Sequence, residues 1–475
     1  MTSTPRHAAT DTRALVPVLI YLGLVVAVVS SLGAPLVPTI AAATHVSLTA
    51  AQWSLTISLL VGAVATPAMG RLGDGPRRRE VVLTALVVVT AGCVLAALPL
   101  SFGWLLAGRG LMGVGLGLTP LAMGTARDVL QGERSRSTVA MLSITTVAGV
   151  GLGYPLTGVI AEVASFRAAF WAGAVVAFAA LVSAALVLPS SRHRPSTRLD
   201  VVGAVLLGAA VAGLLLALSE VESWSTVRLA VVVAVSVVLL VLWVGQELRV
   251  EHPLVDLRLV RDRTVLAADV TGLMAGVGMY VLMSMVIRYV QTPSSQGYGF
   301  GASVVVAGFA LLPMSVASVL SSRVMAPVSR RFGPQVVLPV GCLLFVAAEV
   351  LFAVARGSLW QVFVVMAVAG LGVGSTFSAL PALVVSAVPP AETGSAMSFN
   401  QVLRYIGFSA GSALSATVLE AHTSGGSPFP SDRGYTVSAL LGVGLLLVAA
   451  VLAALLPPRR TRVEPARPAR VPARV

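Results

Sequence analysis

Residues Ala148 to Glu162 read AGVGLGYPLTGVIAE, and the fold follows from what this stretch requires around it. Gly149 and Gly153 stand four positions apart, so on a helix they share a face. A face of small residues lets a second helix approach to backbone contact. Pro155 has no N–H to donate and its ring crowds the carbonyl of Gly151, so the helix is expected to bend here, with Gly158 just beyond. A bend at a close helix crossing inside a membrane suits a rocking or gating device. Taken alone, the stretch is equally compatible with a packing helix that has no mechanical role.

The surrounding composition sets the solvent. Of 475 residues, 57% are hydrophobic and 11% charged, whereas soluble domains carry roughly 25% charged residues. So much apolar surface needs lipid. The net charge of +13 does not indicate a nucleic-acid partner, because all 32 basic residues are Arg and most sit in short loops between apolar runs. Cys93 and Cys342 lie inside apolar runs and read as buried small hydrophobes, with no metal or disulfide framework. The first run follows Arg6 and Arg13, exceeds a signal-peptide core in length and is expected to be a retained span.

Apolar runs of about 20 residues predict fourteen transmembrane helices, over 14–40, 52–70, 80–99, 103–124, 138–161, 168–189, 200–219, 228–246, 264–291, 302–321, 335–354, 359–387, 394–419 and 436–456. With both termini inside, 25 Arg fall on the cytoplasmic side, four outside (Arg167, Arg228, Arg356, Arg433) and three within spans (Arg109, Arg288, Arg404). This asymmetry predicts a multi-pass protein of the bacterial inner membrane with cytoplasmic termini. The chain also repeats itself. Gly113-Val114-Gly115-Leu116-Gly117 on span 4 matches Gly370-Leu371-Gly372-Val373-Gly374 on span 12, and Arg77-Arg78-Arg79 matches Arg330-Arg331. The predicted fold is an all-α polytopic membrane protein. An N-terminal six-helix bundle (1–189) and a C-terminal one (264–456) flank a linker with two inserted helices (190–263), and an Arg/Pro-rich cytoplasmic tail (457–475) is expected to be disordered.

Few polar groups stand where chemistry is possible. In Gly70-Arg71-Leu72-Gly73-Asp74-Gly75-Pro76-Arg77-Arg78-Arg79, the glycines allow a tight turn at the membrane surface. Asp74 can accept from a neighbouring helix N-terminus or pair with Arg71 or Arg77, making a charged latch; a positive-inside anchor is the plainer alternative. A charge at mid-membrane costs ~2.5–3.5 kcal/mol on insertion scales, so each one needs an account. Asp269 lies about six residues into span 9, ~9 Å at helical rise, with Gly272, Gly276, Tyr280 and Met283 continuing its face. That stripe is either a cavity lining with a proton-binding carboxylate or an acid near enough to the interface to meet water. Glu349 is a second candidate for proton coupling, or an interfacial acid. Arg109 and Arg404, the latter beside Asn400 and Gln401, either stabilise ionised carboxylates or hold helix carbonyls. Met274, Met279, Met283 and Met285 suit a pocket for varied apolar molecules, or plain packing.

The loop 70–79 resembles the signature loop of the major facilitator superfamily, Gly-x-Leu-Ala-Asp-Arg-x-Gly-Arg-Arg, one residue shorter and with Pro76 near the second Gly. Arg330-Arg331-Phe332-Gly333 resembles its degenerate second copy. Leu105 to Gly113 resembles the embedded Arg motif, with Met112 where Gln is frequent, and Gly149 to Gly158 resembles the motif associated with antiporters. Fourteen spans and the Pro253-Leu254-Val255-Asp256-Leu257-Arg258-Leu259 segment are similar to the fourteen-helix drug:proton antiporter family. The resemblance implies two six-helix bundles of major-facilitator type. It also implies export of drugs or antibiotics against protons, a functional role for Arg109, and a cavity reached by Met112, Gly276, Tyr280, Met283 and Asn400. That family commonly has an acid near the end of span 1; Ser30 to Pro35 has none, so any proton coupling rests elsewhere.

Other classes fit poorly. His7, His45, His193, His252 and His422 all lie in tails or loops, so no span holds a metal-binding His pair or a Ser-His dyad. With no Lys there is no phosphate-binding loop. No enzyme, cofactor or metal is expected. The expected partners are a small hydrophobic substrate, protons and the lipid bilayer, and a monomer is expected. The reading is a secondary transporter working by alternating access, with a metabolite symporter or facilitator as the alternative. Gly153→Leu is expected to abolish transport while membrane insertion stays intact. Substrate flux in vesicles against membrane-fraction yield checks this, and normal flux would remove the gate.

Overall fold

The computed structural model describes residues 12–32, 36–46, 48–189, 200–219, 224–251, 253, 257–258, 262–333, 336–389, 392–423 and 429–455. The tail 457–475, the acid-free turn 33–35 and most of the segment 253–259 lie outside these. The described residues form helices and no strand. In chain order they are α1 (Thr12–Ser31), α2 (Val37–Thr44), α3 (Leu48–Asp74), α4 (Arg78–Ala97), α5 (Phe102–Gly113), α6 (Leu118–Val129), α7 (Gly132–Val163), α8 (Phe166–Val187), α9 (Val201–Ser219), α10 (Thr226–Glu247), α11 (Arg263–Gln291), α12 (Val304–Ala310), α13 (Leu312–Phe332), α14 (Val337–Val354), α15 (Leu359–Ala387), α16 (Thr393–Ala421) and α17 (Asp432–Leu455).

Eleven helical segments among the described residues are long and apolar enough to cross a membrane. The helices α3, α7 and α9 are outside that set, α9 giving a shorter apolar stretch, Val201–Leu214. The predicted first span, 14–40, is divided: α1 stops at Ser31 and α2 begins at Val37 with Pro38 in its first turn, where a missing N–H does no harm. The predicted fourth span is α5 and α6 joined by a 3-10 turn at Val114–Gly117. The tenth divides at Leu311, just before Pro313. Starts are marked by local chemistry. Ser165 accepts from the Ala168 N–H at 3.1 Å and Asp262 from the Thr264 N–H at 2.7 Å. Ser358 and Gln361 cap each other reciprocally at the start of α15.

One set of neighbours occurs twice. α1 packs on α7 and α8, α4 on α5 and α8, and α3 on α5; likewise α11 packs on α16 and α17, α14 on α15 and α17, and α13 on α15. The repeated glycine run does the same work in each half. A Cβ on Gly113 would stand 2.3 Å from the Ser58 carbonyl oxygen of α3, and one on Gly370 2.3 Å from the Met314 carbonyl oxygen of α13. Gly115 faces Val89 of α4, and Gly372 faces the Phe345 backbone of α14. Gly149 and Gly153 of α7 press on Ala27 and Ser31 of α1, as Gly407 and Gly411 of α16 press on Leu273 and Val277 of α11. That second glycine pair extends the repeat read from the sequence.

The two inserted helices are not detached. α9 packs along α3 and reaches α16, with Gly208 against Val64, and Trp243 of α10 stacks on Phe399 of α16 at 6.1 Å. The insert therefore covers the line where α3 meets α16.

Gly113→Ala and Gly370→Ala each place a methyl against fixed backbone. Each should lower the thermal midpoint of the purified protein, with overpacking costs of ~1–3 kcal/mol. Gly245→Ala, with nothing within 4 Å, should leave it unchanged or raise it. Equal midpoints for all three would contradict the packing role.

Candidate functional site

Asp74 ends α3 with its carboxylate fully buried. Its Oδ1 accepts from the Gly394 N–H at 2.8 Å, and its Oδ2 from the Ser395 N–H at 2.9 Å and the Ser395 hydroxyl at 2.7 Å. These are unpaired first-turn donors of α16, carrying the positive end of its dipole. An acid of one half thus caps a helix of the other. Gly70 and Gly394 make the approach possible: a Cβ on Gly70 would stand 2.9 Å from the Gly394 carbonyl oxygen, and one on Gly394 2.9 Å from that of Gly70. Asp74 does not pair with Arg77, which is exposed and 3.9 Å from Glu80. A nearby cation is Arg78, 3.9 Å from Asp74, which also donates to the Gly73 carbonyl at 2.5 Å and pairs with Asp128. Beside this latch, Arg127 of α6 donates to the Thr393 hydroxyl and, at 3.1 Å, to the Val388 carbonyl. The two halves are tied at this end, called below the Asp74 end.

Deeper in, Asp269 of α11 is buried and its Oδ1 accepts from Asn400 Nδ2 of α16 at 2.9 Å; its Oδ2 has no partner among the described residues. One turn on, Arg404 donates to Gln401 Oε1 at 3.1 Å and lies 4.1 Å over the Phe377 ring. Its Nη1 stands 3.5 Å from the Ser143 hydroxyl of α7, which itself donates to the Phe377 carbonyl at 2.5 Å. Arg404 Nε and Nη2, Asn400 Oδ1 and Gln401 Nε2 have no partner among the described residues. The structure so joins Asp269 to Asn400, one turn along α16 from the Arg404 that reaches Ser143 of the other half.

Other candidates fall elsewhere. Gly272 and Gly276 face Asn400, the Arg404 backbone and Phe408; they are the close crossing of α11 on α16. Tyr280 stacks on Phe408 at 4.7 Å, and its phenol lies near that of Tyr154 of α7 across the halves. Met283 is buried at 3% exposure. Arg109 donates to the Ser54 carbonyl at 2.9 Å and the Val29 carbonyl at 3.3 Å, and sits over Phe170, so it binds three helices of the N-terminal half together. Met112 is fully buried beside it, its sulfur 3.8 Å from Arg109. Glu349 is fully buried within the protein, so its carboxyl faces neither lipid nor water.

The opening stretch divides its roles by face. Gly149 and Gly153 hold α1 within their own half, while Pro155 meets Gly308 and Gly158 meets Val305 of α12 in the other. α7 runs unbroken through Pro155.

Arg127, Ser143, Tyr154, Thr393 and Ser395 join the halves without having been singled out in the sequence as contacts. A signal for two of them exists: Pro389-Pro390 followed by Thr393-Gly394-Ser395 is a helix start with a glycine open to close approach.

A family model described as Major Facilitator Superfamily matches residues 19–412 and, in a second match, 270–474. The chain belongs to the Major Facilitator Superfamily. It is 27% identical over 434 residues to an uncharacterized MFS-type transporter of Mycobacterium tuberculosis, which covers 87% of this chain and 61% of the relative. It thus spans less than two thirds of that relative's length. It is 26% identical over 376 residues to a protein of the same organism named multidrug resistance protein B homolog, covering 77% of this chain and 68% of the relative. The crystal structure of the human organic anion transporter MFSD10 (TETRAN) superposes with a TM-score of 0.63, at 19% identity over 93% of this chain and 99% of that one. That likeness gives the superfamily fold.

Ser398 lies buried against Gly70 in the latch. A water-soluble maleimide should label Ser398→Cys about tenfold faster or more in an Asp74→Ala background, since each hydrogen bond to a charged group contributes ~1.5–3 kcal/mol. The buried Cys93 and Cys342 give little background. Equal labelling rates in the two backgrounds would show that Asp74 does not hold this end closed.

Proposed function

We propose that this superfamily member is a secondary active transporter that exports small hydrophobic or amphipathic compounds by alternating access, in exchange for protons. In this reading α1, α3, α4, α5–α6, α7, α8, α9, α10, α11, α12–α13, α14, α15, α16 and α17 are fourteen crossings, and the Asp74 end faces the cytoplasm, as the Arg distribution requires. The observation that carries the reading is the Asp269–Asn400–Arg404 cluster. It is a buried carboxyl of α11 with one oxygen on Asn400 of α16 and the other without a partner among the described residues, and one turn along α16 Arg404 reaches Ser143 of α7 in the other half.

A carboxyl so placed changes its surroundings whenever the halves move. With the Asp74 end closed, Asp269 has a single donor and Arg404 is turned to Ser143 and Phe377. Opening that end breaks the α7–α16 contact and admits water, which favours the ionised acid. A proton taken up from outside then leaves to the cytoplasm as the O–H bond of Asp269 breaks. The Asp74 latch supplies the second requirement, a bond between halves that can be made and unmade. Relatives named for multidrug resistance support an apolar substrate.

In inverted vesicles, a fluorescent amphipathic dye should accumulate when the lumen is made acidic and stop when the gradient is collapsed. With Asp269→Asn, accumulation should fall to the level of vesicles lacking the protein while downhill dye flux persists. Accumulation by Asp269→Asn at the wild-type rate would remove the proton role of Asp269. Wild-type flux indifferent to the gradient would favour the facilitator reading.

A further inference from the structure

Glu349 has no place in the mechanism above, and its setting is unlike that of any other acid among the described residues. It lies on α14 with no solvent exposure, and neither carboxyl oxygen has a hydrogen-bond partner among the described residues. Its facing residue on α17 is Gly442, and a Cβ there would stand 2.6 Å from Glu349 Oε1. The carboxyl fills the notch that the missing side chain leaves.

Among the described residues no cation offsets it. On α14 the other titratable or charged neighbour is Cys342, two turns toward the Asp74 end, and Arg356, just past the end of α14, lies two turns the other way. On α17 they are Asp432, Arg433 and Tyr435, all in the first turn, while α15 carries none. The Arg residues of α13, Arg323, Arg330 and Arg331, lie toward the Asp74 end. Arg356 is already engaged. It donates to the Phe352 and Ala353 carbonyls at 3.0 and 2.8 Å, to the Thr436 hydroxyl at 2.7 Å, and pairs with Asp432 at 2.9 Å. An ionised carboxylate buried with neither donor nor counter-charge costs several kcal/mol, and such a group takes a proton instead.

A cavity opens one helical turn from Glu349. Arg356, Asp432, Ala353 and Tyr289 line a cavity of about 520 Å³ at the end of the molecule opposite the Asp74 end, and Asp432 is half exposed beside it. Ala353 is one helical turn from Glu349 on the same face, ~6 Å along the axis. Around the cavity, the Tyr298 phenol donates to the Pro430 carbonyl, and burial pushes its pKa up to about 12, so it stays a neutral donor.

We infer that Glu349 is a proton-binding site of the C-terminal half, loaded from the outer face through the cavity beside Arg356, and that its un-ionised form is what lets α14 and α17 close on each other. Loading forms one O–H bond, with the proton supplied by water or buffer in the cavity. Unloading breaks that bond and returns the proton the same way, and the carboxylate left behind requires water between α14 and α17. Outer pH therefore sets the pairing of these two helices, separately from the proton that Asp269 exchanges. Acid outside closes the pair, and alkali loosens it. Which face is outer rests on the topology of the proposed function; the pairing itself does not.

The test uses the full-length protein in lipid nanodiscs and amide hydrogen exchange across residues 438–446 of α17. Exchange chemistry itself accelerates with pH, so the readout is the ratio of wild type to Glu349→Gln, an isosteric stand-in for the un-ionised acid. That ratio should rise about tenfold per pH unit on the alkaline limb, the signature of one linked proton. A flat ratio would overturn the inference. If Glu349→Gln fails to fold, infrared spectra and dicyclohexylcarbodiimide labelling of the wild type decide. A carbonyl band of an un-ionised acid that fades with alkali, and carbodiimide adducts mapped to Glu349, support the site; absence of both overturns it. Failure of gradient-driven dye flux would remove proton exchange at Asp269 and leave this measurement untouched.

Discussion

A carboxylate of one half closing the N-terminus of a helix in the other is the contact on which this conformation depends. In lipid a backbone N–H without a partner costs several kcal/mol, and the first turn of any helix has such donors. α16 fills part of that need from outside its own half. Gly394 and Ser395 donate to Asp74, which α3 delivers from the opposite side of the seam. The glycines at 70 and 394 let the two backbones come close enough. Arg78 and Arg127 then build outward from the same point, one toward Asp128 and the other toward the end of α15. The strength of this arrangement comes from charge-assisted hydrogen bonds in a water-poor seam, and its reversibility from the fact that water can replace every one of them.

Away from the seam each half is held by shape. The repeated glycine run on α5–α6 and α15 lets each of these sit between two neighbours at backbone distance, and the glycine pairs of α7 and α16 do the same on α1 and α11. Such contacts are stiff, because a backbone carbonyl cannot swing away as a side chain can. Rigid halves with a polar, hydratable seam are what a rocking motion needs. Arg109 belongs to the rigid part: its carbonyl contacts reach α1 and α3, and the Phe170 contact reaches α8. Arg404 belongs to the seam, with two of its three nitrogens without a partner among the described residues.

Most of the helices were legible because apolar runs separated by Arg-rich loops leave little choice. The divided helices were less so: the interruptions at 31–37, 114–117 and 311 fall at glycine and proline within apolar runs, and hydropathy does not register them. The latch was legible as a possibility, since Asp74 follows two glycines at a helix end, but its partner was not. Gly394 and Ser395 are ordinary helix-start residues, and only folding brings them to Asp74, 320 and 321 positions earlier. The stripe Gly272–Gly276 was readable as a small-residue face, which a cavity and a helix crossing share; the crossing is what forms, because α16 brings glycines of its own at 407 and 411. Glu349 looked interfacial from its position near a span end and is enclosed because Gly442 makes room for it.

The most direct measurement of the central claim is the distance between spin labels placed at the Asp74 end, one on α4 and one on the start of α16, followed by double electron–electron resonance in lipid. Two populations are predicted. The short one should match the closed seam described here, and the long one should grow when Asp74 is replaced by Ala or when substrate and pH are changed. A single short distance that survives both the replacement and every condition would mean that the halves do not separate here, and that Asp74 only braces a fixed structure.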